Sequence, residues 1–196
     1  KQMGYFNSIG GTALEVGSVK VNTINLARIA YDTNSKEEYI AELRERVRLC
    51  CKVLDVVRHI IKRNVEKGLL PNYTNELMHL SSQYSTIGIL GIYEALQELG
   101  MTYKDELGNT LYTDEGVEFG KEILSVINEE KDNFAADKDY SVNVEQVPAE
   151  RAAAILMQKD KFFYPDKAYE LPLYGNQWIP LGVKTTVAEK VRLSAI

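Results

Sequence analysis

Gly17-Ser18-Val19-Lys20-Val21-Asn22-Thr23-Ile24-Asn25-Leu26 decides the fold class. Val19, Val21 and Thr23 alternate with Lys20, Asn22 and Ile24, and β-branched side chains dominate, which is the pattern of a strand. Ser35-Lys36-Glu37-Glu38 then opens a long helix. Ser35 and Glu38 have the spacing of a capping box, in which each side chain satisfies a backbone N–H of the other. Ile40, Leu43, Val47, Cys50, Cys51, Leu54, Val57, Ile60 and Ile61 recur at helical spacing, and the helix should fade near Gly68, with Pro71 just beyond.

The alternation continues downstream. Ser81 to Ile87 reads as a short strand or loop, and Gly88-Ile89-Leu90-Gly91-Ile92-Tyr93-Glu94-Ala95-Leu96 as a helix start that stops at Gly100. Asp105 to Asn109 is a turn. Thr113 caps a helix over residues 114–131, within which Glu129-Glu130-Lys131-Asp132 reads as a solvated helix end. Tyr140 to Val147 alternates as a strand. Pro148 takes the first position of the next helix, with Glu150 in its first turn. Leu173 to Leu181 is extended, and Ser8-Ile9-Gly10-Gly11-Thr12 is a loop. The order strand, helix, strand, helix, helix, strand, helix, strand argues an α/β fold with partly parallel strands.

The 196 residues are 45% hydrophobic and 26% charged, so the chain is globular rather than disordered. Its net charge of −5 supplies no basic field for nucleic acid or an anionic membrane. No apolar run approaches the ~20 residues of a membrane span. Cys50 and Cys51 are adjacent and cannot staple distant parts of a fold, which points to a reducing cytoplasm. Both ends read as cut from a longer chain: the first residues already resemble the inside of a domain, and the last stretch is apolar without a stop signal.

Few residues suggest chemistry by themselves. Cys51, Asp55 and His59 share one helix face, but one straight helix rarely supplies three ligands to a tetrahedral ion. They read instead as a core cysteine, a surface carboxylate and a half-buried imidazole, and no metal site is expected. Gly88-Ile89-Leu90-Gly91 is compatible with a helix N-terminus that approaches an anion, or with tight helix–strand packing. Asn25, Glu145 and Asn176 are polar residues in apolar runs, where a side chain either satisfies backbone or faces a cavity.

Gly17 to Ile29 resembles the Thr-Ile-Asn-Leu-x-Arg-Ile strand of anaerobic (class III) ribonucleoside-triphosphate reductases. Ser85 to Leu96 is similar to that family's Gly-rich segment, Val144-Glu145-Gln146-Val147-Pro148-Ala149-Glu150 to its Pro-Ala-Glu segment, and Tyr174-Gly175-Asn176-Gln177-Trp178-Ile179-Pro180-Leu181 to a late strand. Four blocks in the family's order span nearly the whole chain.

The resemblance implies one segment, residues 1–196, of a ten-stranded α/β barrel. It implies an enzyme that reduces ribonucleoside triphosphates to 2′-deoxy products without oxygen, with formate as reductant. A glycyl radical, made by an S-adenosylmethionine-dependent iron–sulfur activase, generates a thiyl radical on a finger-loop cysteine in this family. A structural zinc, a homodimer and allosteric nucleotide sites also belong to the implied whole enzyme, as does docking against the rest of its own chain.

Several family features are missing from these residues. The finger-loop cysteine would precede Lys1 or, in one alignment, stand at Tyr5. The radical-glycine segment, the four-cysteine zinc motif and the ATP-binding cone are absent, so no catalytic residue is assigned here. By motif position Asn25 is the leading candidate for a hydrogen-bond donor near the ribose, with Thr23 beside it. Ser82, Tyr84 and Ser85 are candidates for substrate or phosphate contact beside Gly88 and Gly91. Glu145 and Asn176 complete the candidate pocket. A glycyl-radical lyase barrel and a non-catalytic α/β scaffold are the competing readings; Thr23-Ile24-Asn25-Leu26 argues against the lyase.

Overall fold

The computed structural model describes residues 17–196; the Ser8–Thr12 loop and Tyr5 lie outside that range. Strand β1, Ser18–Asn25, runs straight into helix α1, Leu26–Asp32. Helix α2, Lys36–Glu66, follows, then the single turn α3, Pro71–Thr74. Strand β2, Tyr84–Leu90, leads into α4, Ile92–Glu98. A hairpin of β3, Thr102–Lys104, and β4, Thr110–Tyr112, precedes α5, Asp114–Ala135. Strand β5, Val142–Glu145, and the helices α6, Glu150–Phe163, and α7, Val187–Ser194, complete the order.

β1, β2 and β5 form a parallel sheet in the order β1-β2-β5. All three C-terminal ends therefore lie on one side. The register pairs Thr23 with Gly88 and Gly88 with Glu145, and Asn25 with Leu90. One face, carrying Ile24, Ile87, Ile89 and Val142, packs on α2 and α5 in the main core. The other carries Thr23, Asn25, Thr86, Gly88 and Asn143, since side chains alternate along a strand. A second apolar cluster of Ala27, Leu90, Ala153, Met157 and Tyr174 seals the C-terminal end of the sheet beneath α6.

The long helix starts where its cap predicts. Ser35 accepts from the Glu38 N–H, and the Glu38 carboxylate reaches back to the Asn34 N–H, one residue earlier than a standard box. Gly68 closes the helix with φ +71°. Tyr39, Leu43, Val47, Cys50, Cys51 and Leu54 are buried, but Ile60 is not. Arg58 occupies the buried face there, donating to the Leu80 and Gln83 carbonyls and lying over the Tyr140 ring.

Several sequence expectations are corrected. β2 runs through Gly88 to Leu90, so the helix starts only at Ile92. Pro148 is not the first helical residue: α6 starts at Glu150 behind Ala149. Leu173–Leu181 forms no strand, being held by side-chain bonds and irregular turns. The Asp105–Asn109 turn belongs to a hairpin whose three-residue strands are too short to show a period. Glu130 is not a solvated helix end. It is buried and accepts from Arg44 and Arg48, tying α5 to α2, and those guanidiniums hold its carboxyl below the usual range.

Candidate functional site

The C-terminal ends of parallel strands collect functional groups, because loops and helix starts converge there. Asn25 sits at that end of β1. Its carbonyl oxygen accepts from the Arg28 N–H and caps α1, while its amide donates to Asp160 at 2.7 Å. Asp160, fully buried on α6, also accepts from the Arg28 guanidinium and from the Tyr174 hydroxyl at 2.6 Å. Burial beside Asp160 drives the Tyr174 hydroxyl far above its ordinary pKa, so it stays a donor. A buried carboxylate with this many donors is satisfied.

Tyr174, Gly175 and Asn176 run across the strand ends. Tyr174 reaches the β1 end through Asp160. Gly175 makes two bonds here: its carbonyl accepts from the N–H of Gly91, the residue after β2, at 2.7 Å, and its N–H donates to the Glu94 carboxylate in the first turn of α4 at 3.0 Å. The Asn176 amide donates to the Gln146 and Val147 carbonyls, just past β5, at 3.2 Å each. Three consecutive residues thus tie down three strands. Glu94 is buried, and burial pushes its carboxyl up to about 7.

Two open cavities lie near these strand ends, and only the first touches the strap. One, of about 310 Å³, lies against Leu90, Ala149, Tyr174, Gly175 and Asn176. The other, of about 260 Å³, lies at the free side of β1 against Thr23, Asn25, Arg28 and Arg46.

The candidate residues divide into two groups. Thr23, Asn25, Gly88 and Glu145 share a sheet face, and Gly91 and Asn176 join them at the C-terminal end. Glu145 is exposed and accepts from Asn143. Ser82 and Tyr84 sit at the other end of β2, roughly 20 Å away at strand rise. Ser85 points to the opposite face and accepts from Arg58. These three are not brought together with Asn25.

Gly88 and Gly91 do not cradle an anion. Gly88 lies inside β2, where a Cβ would stand 2.6 Å from the Thr23 hydroxyl and 2.8 Å from Val147. Gly91 has φ +80° and gives its N–H to Gly175, so both glycines serve backbone packing.

Arg28, Glu94 and Asp160 were missed by sequence reasoning. Asp160 stands between Lys159 and Lys161 in α6, and only its burial reveals it. Arg28 was legible solely as part of the strand motif.

No group of three His, Cys, Asp or Glu side chains could hold a metal among the described residues. His59 is exposed rather than half-buried, and Asp55 is not free surface, since it accepts from the Tyr140 hydroxyl at 2.5 Å. Burial pushes the Cys50 thiol up to about 12 and the Cys51 thiol up to about 11, so neither is a ready thiolate.

A family model described as anaerobic ribonucleoside-triphosphate reductase matches residues 2–195. The chain belongs to that family. Solved structures agree. The anaerobic ribonucleotide reductase from Thermotoga maritima in complex with dATP and CTP is 44% identical with a TM-score of 0.88, covering 96% of this chain and 31% of that one. The same enzyme with glycerol in the active site gives 44% identity and a TM-score of 0.89, over 97% and 31% of the two chains. With dATP in the specificity site the values are 43% and 0.87, over 91% and 30%. No curated protein matches the chain. The chain spans about a third of the length of these reductase structures. Family membership sets aside the lyase reading. Among the described residues no helix is long and apolar enough to cross a membrane.

Proposed function

We propose that this chain is a segment of the catalytic barrel of an oxygen-independent reductase that converts ribonucleoside triphosphates to 2′-deoxyribonucleoside triphosphates. The supporting observation is the family match across residues 2–195, joined to a parallel sheet whose C-terminal ends carry the motif residue Asn25. The full barrel has ten strands in this reading, of which β1, β2 and β5 are three. The protein works as a cytoplasmic homodimer with allosteric nucleotide control.

The family's glycyl radical, installed by a radical S-adenosylmethionine activase, supplies hydrogen-atom abstraction at the ribose through a thiyl, with formate as reductant. This segment's residues orient and shield. Asn25, held by Asp160 and by its capping bond, fixes the end of β1 beneath the ribose. Gly88 lets Thr23 and Val147 close over β2, which holds the three strand ends together beneath that surface. Asn176 closes the β5 side. The described residues do not supply the four-cysteine zinc site, which lies elsewhere in the whole enzyme.

The test is anaerobic turnover of the full-length protein with its activase, formate and CTP, read as deoxynucleotide by chromatography. Product that requires both activase and formate is expected. Product formed without formate would remove the assigned reductant, and no product at all would remove the reductase reading.

A further inference from the structure

Glu94 lies inside the Gly-rich family segment but is given no role by it, and its surroundings are unusual. It is a buried carboxyl whose Oε1 accepts from the Gly175 N–H, while Oε2 has no hydrogen-bond partner among the described residues. Around it stand Tyr31 from α1, its neighbour Tyr93, Tyr112 from β4, and Glu170 from the segment before the strap. A buried acid with one oxygen unpaired costs stability, and the bond made by the other oxygen is what that cost maintains. The other oxygen holds the middle of the Tyr174–Asn176 strap, at the one residue that also takes the Gly91 N–H. Gly175 is itself confined, since a Cβ there would stand 2.4 Å from the Pro180 ring.

We infer that Glu94 is a positioning residue for the reaction: through the Gly175 N–H it fixes the strap Tyr174–Gly175–Asn176 across the C-terminal ends of β1, β2 and β5. This rests on the reductase reading above. The strap sets the heights of Tyr174 and Asn176, and through Asp160 it sets the orientation of Asn25. A slack strap displaces groups beside the reacting sugar while leaving more distant substrate contacts intact. Turnover then suffers more than binding, because small misplacements at the reacting centre act on the rate.

The experiment uses the full-length protein, activated anaerobically and assayed with CTP and formate, together with hydrogen exchange of the backbone. Glu94→Ala lowers kcat roughly 10- to 100-fold with KM for CTP within about threefold, and speeds exchange in residues 174–176. Glu94→Gln keeps an oxygen opposite the Gly175 N–H and restores both readouts. If Glu94→Ala does not fold, Glu94→Met, which fills the same space without an acceptor for the Gly175 N–H, takes its place and gives the same fall in kcat and the same faster exchange. An unchanged kcat in a folded Glu94→Ala protein overturns the role, as does a fall in kcat with unchanged strap exchange, or a folded Glu94→Gln that fails to rescue. If the wild type makes no deoxynucleotide, the reductase reading falls and the positioning role with it. An active wild type beside a fully active Glu94→Ala protein removes the positioning role alone.

Discussion

At Glu94 burial and ionisation oppose each other. Its carboxyl is pushed from an ordinary 4.5 up to about 7, burial being the largest cause. Between those values the folded chain holds a proton that the unfolded chain has released. Stability therefore falls as pH rises through the window, and the full cost, roughly 3 kcal/mol, is in place above about pH 7. Glu94→Gln resembles the neutral acid and removes that slope. Thermal midpoints of the two full-length proteins at about pH 5 and pH 8 check this: they should be similar in acid, with the wild type lower at pH 8. Parallel profiles would mean the carboxyl ionises freely in the fold. Gly88 makes a second case. An added methyl meets the Thr23 hydroxyl and Val147 at contacts far inside normal packing distance, and neither is the loose end of a long side chain. Gly88→Ala should cost about 1–3 kcal/mol by overpacking, read as a lowered denaturation midpoint; an unchanged midpoint would show that β1 and β5 yield without strain. Glycine at this position looks from sequence like a helix start. Its real reason is a cross-strand approach that no local pattern encodes.

Elements with long periods were legible, and those defined by distant partners were not. The start of α2 followed from Ser35 and Glu38, and its buried face from the repeat through Leu54, because capping and amphipathicity are local. Past that point the repeat misled at Ile60: Arg58 turns inward to serve carbonyls of the chain leading into β2, a demand set by another element. The extended stretch after Leu173 lacked a ladder partner, so alternation alone could not tell a strand from a strap. Within α2 the two cysteines are ordinary packing groups, at 3% and 0% exposure. Cys50→Ala and Cys51→Ala, made singly in the full-length enzyme, should each cost about 1–2 kcal/mol of stability and retain activase-dependent turnover. The assay is deoxynucleotide formation beside a melting curve. A folded but wholly inactive variant would place the thiyl on this helix and refute its assignment outside the described residues.

At the scale of the molecule, the parallel α/β organisation was readable because strands and helices alternate in order. The site was readable only where motif and strand end coincide, at Asn25. The Asp160 hub and the strap were hidden, since the hub joins residues more than a hundred positions apart and the strap ties Gly175 to residues more than eighty positions away. Two surfaces remain open among the described residues. The outer side of β1 has no strand partner, and α2 exposes Leu49, Val53, Val56 and Ile60 at the spacing of a helix-packing seam. Both flank the cavity at Thr23 and Asn25, where Leu49 and Val53 are lining residues. An unpaired edge beside an apolar stripe favours association with any complementary surface. Residues 1–196 expressed alone should therefore elute as oligomers in size-exclusion chromatography and form no deoxynucleotide with activase, formate and CTP. Leu49→Lys combined with Val56→Lys, at 57% and 58% exposure, replaces the two most exposed residues of the stripe without touching the core. It should shift the segment toward monomer while leaving its helical circular dichroism intact. A segment that is already monomeric before substitution would show that this face is stable in water, and the seam would no longer argue for a neighbouring element of the barrel.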